Sequence, residues 1–399
     1  MTAPVEPTLA LPQIDLLNGH LYAADPSSTY RWLREQAPAY RDDINGLWGI
    51  SRYRDIVEVE KRTTRYSSRN SYRPLPPDGH DDLSMISHDD PRHQAQRRVV
   101  ARRFTPRAVA DHEALIRAEV TALIDAVIDD GGCDVVQSLA APLPAMMIAR
   151  YLGFGQDRWR EVMRWSEETI PLGGGPRYLT DVGMTAAFDF AIACSELIAA
   201  RRADPRDDMV SVWCNTEIDG VPLSDDEIIS ECLLLVDGGA ETTRTVIATT
   251  MWDLAERPDQ LARLVAEPSM IAGTAVEEFI RWVTPILNMA RVVTEDHEMH
   301  DRQLCAGDRL LLMYSSANRD PEVFDAPDTY DVGRASNHHV AFGFGTHFCL
   351  GSSLARLELK VMFEELVSRI PTWRIQAGTA PRRIPGAFVR GVENVFVEW

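Results

Sequence analysis

The chain has 399 residues, 45% of them hydrophobic and 25% charged, the make-up of a soluble globular enzyme rather than of a fibrous or disordered protein. Its formal net charge of −19 argues against nucleic acid or an anionic membrane as partner, since either needs a broad basic face. Six cysteines, Cys133, Cys194, Cys214, Cys232, Cys305 and Cys349, lie far apart and never form C-x-x-C, which argues against a zinc knuckle or a redox pair.

Residues 1–12 lack a basic stretch followed by an apolar core. The longest apolar stretch, residues 139–149, is too short to span a bilayer and is interrupted by Pro142 and Pro144. A soluble, cytoplasmic protein with no membrane anchor is therefore expected. Residues 39–50 read as a β-hairpin turned at Asn45-Gly46, and a helix follows from about Tyr53. Residues 66–83, polar and rich in Pro, Ser and Arg, read as a long loop of the kind that touches substrate.

Asp90-Pro91 opens a helix on which His93 and Arg97 sit one turn apart, so both can point at one anion. Arg97, Arg98, Arg102, Arg103 and Arg107 crowd together in this acidic chain. Residues 111–202 carry apolar positions at helical spacing, broken by Gly131-Gly132, Gly153-Phe154-Gly155 and Gly173-Gly174-Gly175-Pro176. The last cluster lacks a preceding strand and a following G-K-[ST], so it reads as a mobile connection near a pocket mouth and not as a phosphate loop.

Ser224-Asp225-Asp226-Glu227 is a capping box that opens a helical pattern running to about Glu256, where Pro258 stops it. Inside that pattern Gly238-Gly239-Ala240-Glu241-Thr242-Thr243 conflicts with helix propensity, and such conflicts tend to mark functional sites. A later helix carries Glu278 and Arg281 on one face, and strand-like segments span residues 291–313. The run Phe342-Gly343-Phe344-Gly345-Thr346-His347-Phe348-Cys349-Leu350-Gly351 then places a thiol where a glycine-rich loop enters a helical pattern over residues 350–370. A helix N-terminus lowers a cysteine pKa and donates hydrogen bonds to sulfur, which suits a metal ligand. A short β-rich tail closes the chain.

Continued as Ala355-Arg356-x-Glu358, this loop resembles the haem-ligand loop of the cytochrome P450 family. D-P-x-x-H-x-x-x-R at Asp90 to Arg97 and [AG]-G-x-[DE]-T-[TS] at Gly238 to Thr243 are similar to two further motifs of that family. The resemblance implies a mainly α fold with small β-sheets, a triangular prism of helices around a buried haem. It implies a single catalytic domain over residues 1–399, with a β-rich subregion near residues 39–50, 291–313 and 373–399. It also implies haem b with iron ligated by Cys349. Phe342, Gly343 and Gly351 would shape the cofactor loop, and His93, Arg97, Arg291 and His339 would contact the haem propionates. Glu241 and Thr242 would be the acid and alcohol that deliver protons during O₂ activation, and Glu278, Arg281 and Arg334 a bracing network.

The implied activity is insertion of one oxygen atom of O₂ into a C–H bond. Electrons would come from a separate ferredoxin and ferredoxin reductase, the ferredoxin docking over residues 97–107 and the cysteine loop. The acid–alcohol pair favours a monooxygenase over a peroxide-driven relative of the same fold or a haem-thiolate gas sensor. A cysteine hydrolase would need a third orienting residue beside His347, and none is apparent. Residues 15–22, 30–34, 288–291 and 338–358 resemble actinobacterial cytochromes that oxidise the terminal methyl of the cholesterol side chain. A hydrophobic steroid substrate is implied, the alternative being another lipid, a terpenoid or a polyketide.

Overall fold

The computed structural model describes residues 13–74 and 82–399. Residues 75–81, part of the loop expected over 66–83, lie outside the described residues.

The hairpin forms where Asn45-Gly46 predicts it. Strands Ala39–Asp42 and Leu47–Ile50 pair antiparallel, and Gly46 takes the positive φ of +66° that the turn requires. The fully buried Asp42 carboxylate accepts from the backbone N–H groups of Leu16 and Asn45, which ties the N-terminal segment to the turn. Leu47–Ile50 then pairs in parallel with Arg309–Met313, and Asn288–Val293 and Tyr66–Ser67 complete a five-stranded sheet. This sheet carries Arg291 to the edge of the principal cavity.

The capping box is complete, with the Glu227 N–H donating to the Ser224 hydroxyl at 3.2 Å and the Ser224 N–H donating to the Glu227 carboxylate at 2.9 Å. The helix it opens is interrupted. Asp225–Val236 passes into a π turn, Asp237–Glu241, before the α-helix resumes as Thr242–Glu256. Two side-chain-free residues and a threonine that bonds backwards explain the turn: the Thr242 hydroxyl donates to the Gly238 carbonyl at 2.7 Å. Gly239 is also required by space, because a Cβ there would lie 2.3 Å from the Ile148 side chain. Pro258 does more than stop the pattern, for it starts the helix Pro258–Ala266.

Thr242–Glu256 packs on Ser352–Arg369 in the main apolar core, through residues such as Ile247, Leu359 and Phe363. Glu278 and Arg281, both fully buried, make two hydrogen bonds of 2.7 and 2.8 Å, and Arg334 Nε adds a third to Glu278 at 3.1 Å. The remaining guanidinium donors of Arg281 meet the carbonyls of Asn318, Pro327 and Thr329, so the buried charges are all paired.

Helix Asp181–Ala203, interrupted by charges but with an 18-residue window of mean hydropathy 1.5, is long and apolar enough to cross a membrane by length and composition. It packs on Trp159–Thr169 and Met209–Cys214, buries Phe190, Cys194 and Ile198, and leaves Met184, Phe188 and Ile192 exposed.

Candidate cofactor and active site

Between the π turn and the cysteine loop lies a cavity whose empty space, its opening to solvent included, is about 1270 Å³. Gly238, Gly239 and Thr242 line one side, and Phe342, Gly343, Cys349 and Gly351 the other. Helix Arg92–Val100 brings in His93 and Arg97, while Met85, Leu234 and Met289 supply apolar wall.

The loop under the cavity is held by local geometry. Gly343 and Gly345 take φ of +68° and +70°, and a Cβ on Gly345 would meet the Glu60 carbonyl at 2.7 Å. The Cys349 N–H closes the loop onto the Phe342 carbonyl at 2.9 Å. Gly351 then caps helix Ser352–Arg369, and the backbone N–H groups of Gly351 and Ser352 donate to the sulfur. The pKa nevertheless moves opposite to the expectation from a helix N-terminus. Burial pushes the Cys349 thiol up, outweighing those N–H groups and the guanidinium groups of Arg97 and Arg356. A coordinated metal deprotonates a thiol outright, so this sulfur suits a bound iron better than a free nucleophile.

Beside the thiol is a nest of cationic and imidazole groups. The His93 and His347 rings lie 4.0 Å apart, and Arg97 donates to the Phe348 carbonyl at 2.6 Å. His347 Nε2 is buried without a hydrogen-bond partner, and the pKa of this histidine is pushed down to about 2, first by burial and then by Arg291, His93 and Arg97. An orphaned ring nitrogen among arginines is complementary to carboxylates. His339, expected here, is not in the cavity wall. Its Nε2 lies 3.2 Å from Glu277, which also binds Arg356 at 2.6 Å, and Arg356 sits over the Phe342 ring at 4.6 Å. This cluster supports the loop from behind, and it holds Glu277 down to about 2 although burial alone would raise it. His347 lines the cavity where His339 does not. The signal for it stood two residues before Cys349, inside the motif itself.

Glu241 and Thr242 are adjacent in sequence and face different spaces. Thr242 lines the principal cavity, whereas the buried Glu241 carboxylate accepts from Arg244 at 2.7 Å and lines a second cavity of about 440 Å³. Arg244 continues to Glu167 at 2.8 Å, so the chain Glu241, Arg244, Glu167 leads from the π turn toward solvent. Burial raises the Glu241 pKa and Arg244 opposes the rise. Glu358 also lines the principal cavity, pushed up to about 8 by burial against a hydrogen bond with Thr243.

Among the described residues no cluster of three or more His, Cys, Asp or Glu could hold a bare metal ion. A metal at Cys349 must therefore bring its other ligands with it. A porphyrin does so, and its carboxylates match the nest of His93, Arg97, Arg291 and His347, which makes this a haem-thiolate site. Comparison with known proteins agrees. Residues 192–397 match the family model described as Cytochrome P450. Steroid C26-monooxygenase of Mycobacterium tuberculosis is 42% identical over 396 residues, 96% of this chain and 96% of that protein. Linalool 8-monooxygenase of Pseudomonas putida is 33% identical over 400 residues, 96% of this chain and 98% of that protein. The crystal structure of CYP109E1 from Bacillus megaterium in complex with testosterone superimposes with a TM-score of 0.87 at 30% identity, covering 94% of this chain and 98% of that one. The chain belongs to the cytochrome P450 family of haem-thiolate monooxygenases, and its fold is the P450 fold. Its cofactor is a haem ligated by a cysteine thiolate.

Proposed function

We propose that this chain hydroxylates the terminal methyl of a steroid side chain of the cholesterol or cholestenone type, with haem b held through Cys349. The observation that carries the reading is a cavity that joins Cys349 to Thr242 of the π turn and is walled by the apolar side chains of Leu234, Leu235 and Met289. Likeness to steroid C26-monooxygenases over nearly the whole chain supports the steroid class and the position of attack.

Haem, when bound, supplies the reductive activation of O₂, which the thiolate assists by donating electron density. The chain's own residues do the rest. His93, Arg97, Arg291 and His347 would hold the cofactor's carboxylates, and the apolar wall would bind substrate and exclude water. The Thr242 hydroxyl gives its hydrogen to the Gly238 carbonyl and turns its oxygen to the cavity, where it can accept a hydrogen bond from a proton-bearing group and hold that group in place. Glu241, held by Arg244 and through it linked to Glu167 near the surface, is the acid that would supply protons from solvent once its carboxylate leaves Arg244 and turns toward Thr242.

Enclosure of a steroid would contribute several kcal/mol at about 25 cal/mol per Å² buried, before the costs of binding. Titration with cholest-4-en-3-one, cholesterol, branched fatty acids and monoterpenes, followed by the Soret shift on displacement of water, tests the assignment. The steroids are expected to give the full shift at the lowest concentrations. A shift with monoterpenes alone would overturn the steroid reading, and the likeness to a linalool enzyme makes that outcome a real competitor.

The electron donor we infer is a small acidic ferredoxin, itself reduced by a ferredoxin reductase. Arg98, Arg102 and Arg107 are exposed, whereas Arg103 is engaged by Asp207 at 2.5 Å. Phe348 on the cysteine loop is 39% exposed, an apolar contact beside these cations. Such a patch focuses the field locally in a chain of net −19. Converting Arg98 and Arg102 to Glu should slow the first electron transfer about tenfold at low ionic strength and flatten its salt dependence. Stopped-flow rates equal to wild type across the salt series would move the docking site elsewhere.

A further inference from the structure

One carboxylate in the cavity wall has no part in the chemistry above. Glu60, on helix Tyr53–Lys61, is 3% exposed and lines the cavity beside Arg291, Gly343 and Tyr314. Its Oε1 accepts from the Tyr314 hydroxyl at 2.7 Å and lies 3.3 Å from an Arg291 nitrogen. The Phe344 backbone N–H also reaches the carboxylate. Its Oε2 is buried with no hydrogen-bond partner among the described residues.

The groups that face Glu60 come from three directions. Strand Asn288–Val293 brings Arg291, helix Tyr314–Ala317 brings Tyr314, and the cysteine loop brings the Phe344 N–H. The other titratable or cationic groups on this side of the cavity are His93, Arg97 and His347. Burial pushes the Glu60 pKa up to about 7 against the combined pull of Arg291, Tyr314 and the Phe344 N–H. A carboxyl that titrates near neutrality and carries an unsatisfied oxygen can serve either as hydrogen-bond donor or as anion.

Among the described residues Arg291 is the cation paired with Glu60, and it is also a cation that would hold a haem carboxylate. Two carboxylates that share one guanidinium in a dry site do not ionise independently. We propose that Glu60 competes with a haem carboxylate for Arg291, so that gain or loss of the Glu60 proton tunes the reduction potential of the iron. Glu60 is thus a positioning and tuning residue that acts on the haem through Arg291. The sign follows from charge. Loss of the proton adds a negative charge to the cavity wall, which stabilises ferric over ferrous iron, so the potential falls as pH rises through the titration of Glu60.

This inference rests on haem occupying the cavity as proposed above. The test is spectroelectrochemical titration of the purified haem protein from about pH 5.5 to 9, a window that brackets the carboxyl. Wild type should show a fall in potential with a bend near neutrality. Glu60→Gln, which keeps size and a hydrogen-bond acceptor for Tyr314, should lose that bend and have a higher potential than wild type at alkaline pH. Tyr314→Phe removes a donor to the carboxylate and should move the bend to higher pH. Superimposable profiles for wild type and Glu60→Gln would overturn the inference, and if Glu60→Gln fails to fold, an unmoved bend in Tyr314→Phe would do the same. A wild-type protein with no Soret band would instead overturn the haem reading itself.

Discussion

Cys349→Ser is expected to yield a folded protein whose reduced carbon monoxide complex has lost the long-wavelength absorption of a thiolate-ligated haem, with product formation at background. The substitution is nearly isosteric at a half-buried position, and the loop is closed by backbone contacts that it leaves intact, the Cys349 N–H to the Phe342 carbonyl among them. What changes is the ligand atom. A serine oxygen does not ionise at neutral pH and is a poor match for the soft thiolate donor. It therefore cannot push electron density toward O–O cleavage. Retention of haem by the variant is compatible with this account, because His93, Arg97, Arg291 and His347 remain in the wall. A variant whose carbon monoxide band stayed at the wild-type wavelength would remove Cys349 as the ligand.

Thr242→Ala should separate electron consumption from product. With the hydroxyl gone, NAD(P)H continues to be oxidised and hydrogen peroxide is released, while hydroxylated product per NAD(P)H falls roughly a hundredfold, the lower end of what a positioned group in proton transfer contributes. The hydroxyl donates to the Gly238 carbonyl at 2.7 Å, so its oxygen is oriented by the same π turn that its presence helps to form. Thr242→Ser keeps the hydroxyl and should restore most of the coupling. Equal product per NAD(P)H in Thr242→Ala and wild type would reduce Thr242 to a packing residue. Glu241 does not substitute for it, since its carboxylate is committed to Arg244 on the side of the second cavity.

Features with local determinants were legible in the sequence. Asn45-Gly46 set the hairpin turn, Ser224 and Glu227 set a helix start, and the conflict of Gly238-Gly239 with helix propensity marked the π turn without naming it. The cysteine loop could be read for the same reason, since two glycines of positive φ and a thiol ahead of a helix fall within ten consecutive residues. Helix Asp181–Ala203 falls within the helical spacing read over residues 111–202, but its bounds were not legible, because charged and small side chains interleave along its 23 residues.

What only the tertiary structure decided was the direction in which side chains face and the water they lose. His339 and His347 are equally plausible in sequence, and Glu277 with Arg356, on two other helices, draws His339 behind the loop. The helix N-terminus at Cys349 was foreseen, but not that burial would outweigh it. Glu241 and Thr242 part because a helix rotates about 100° per residue, and each side of this one meets a different cavity. Glu60 belongs to no motif. Its partner Tyr314 lies 254 positions away, and its elevated pKa exists only where the fold takes a carboxylate out of water and leaves one of its oxygens unpaired.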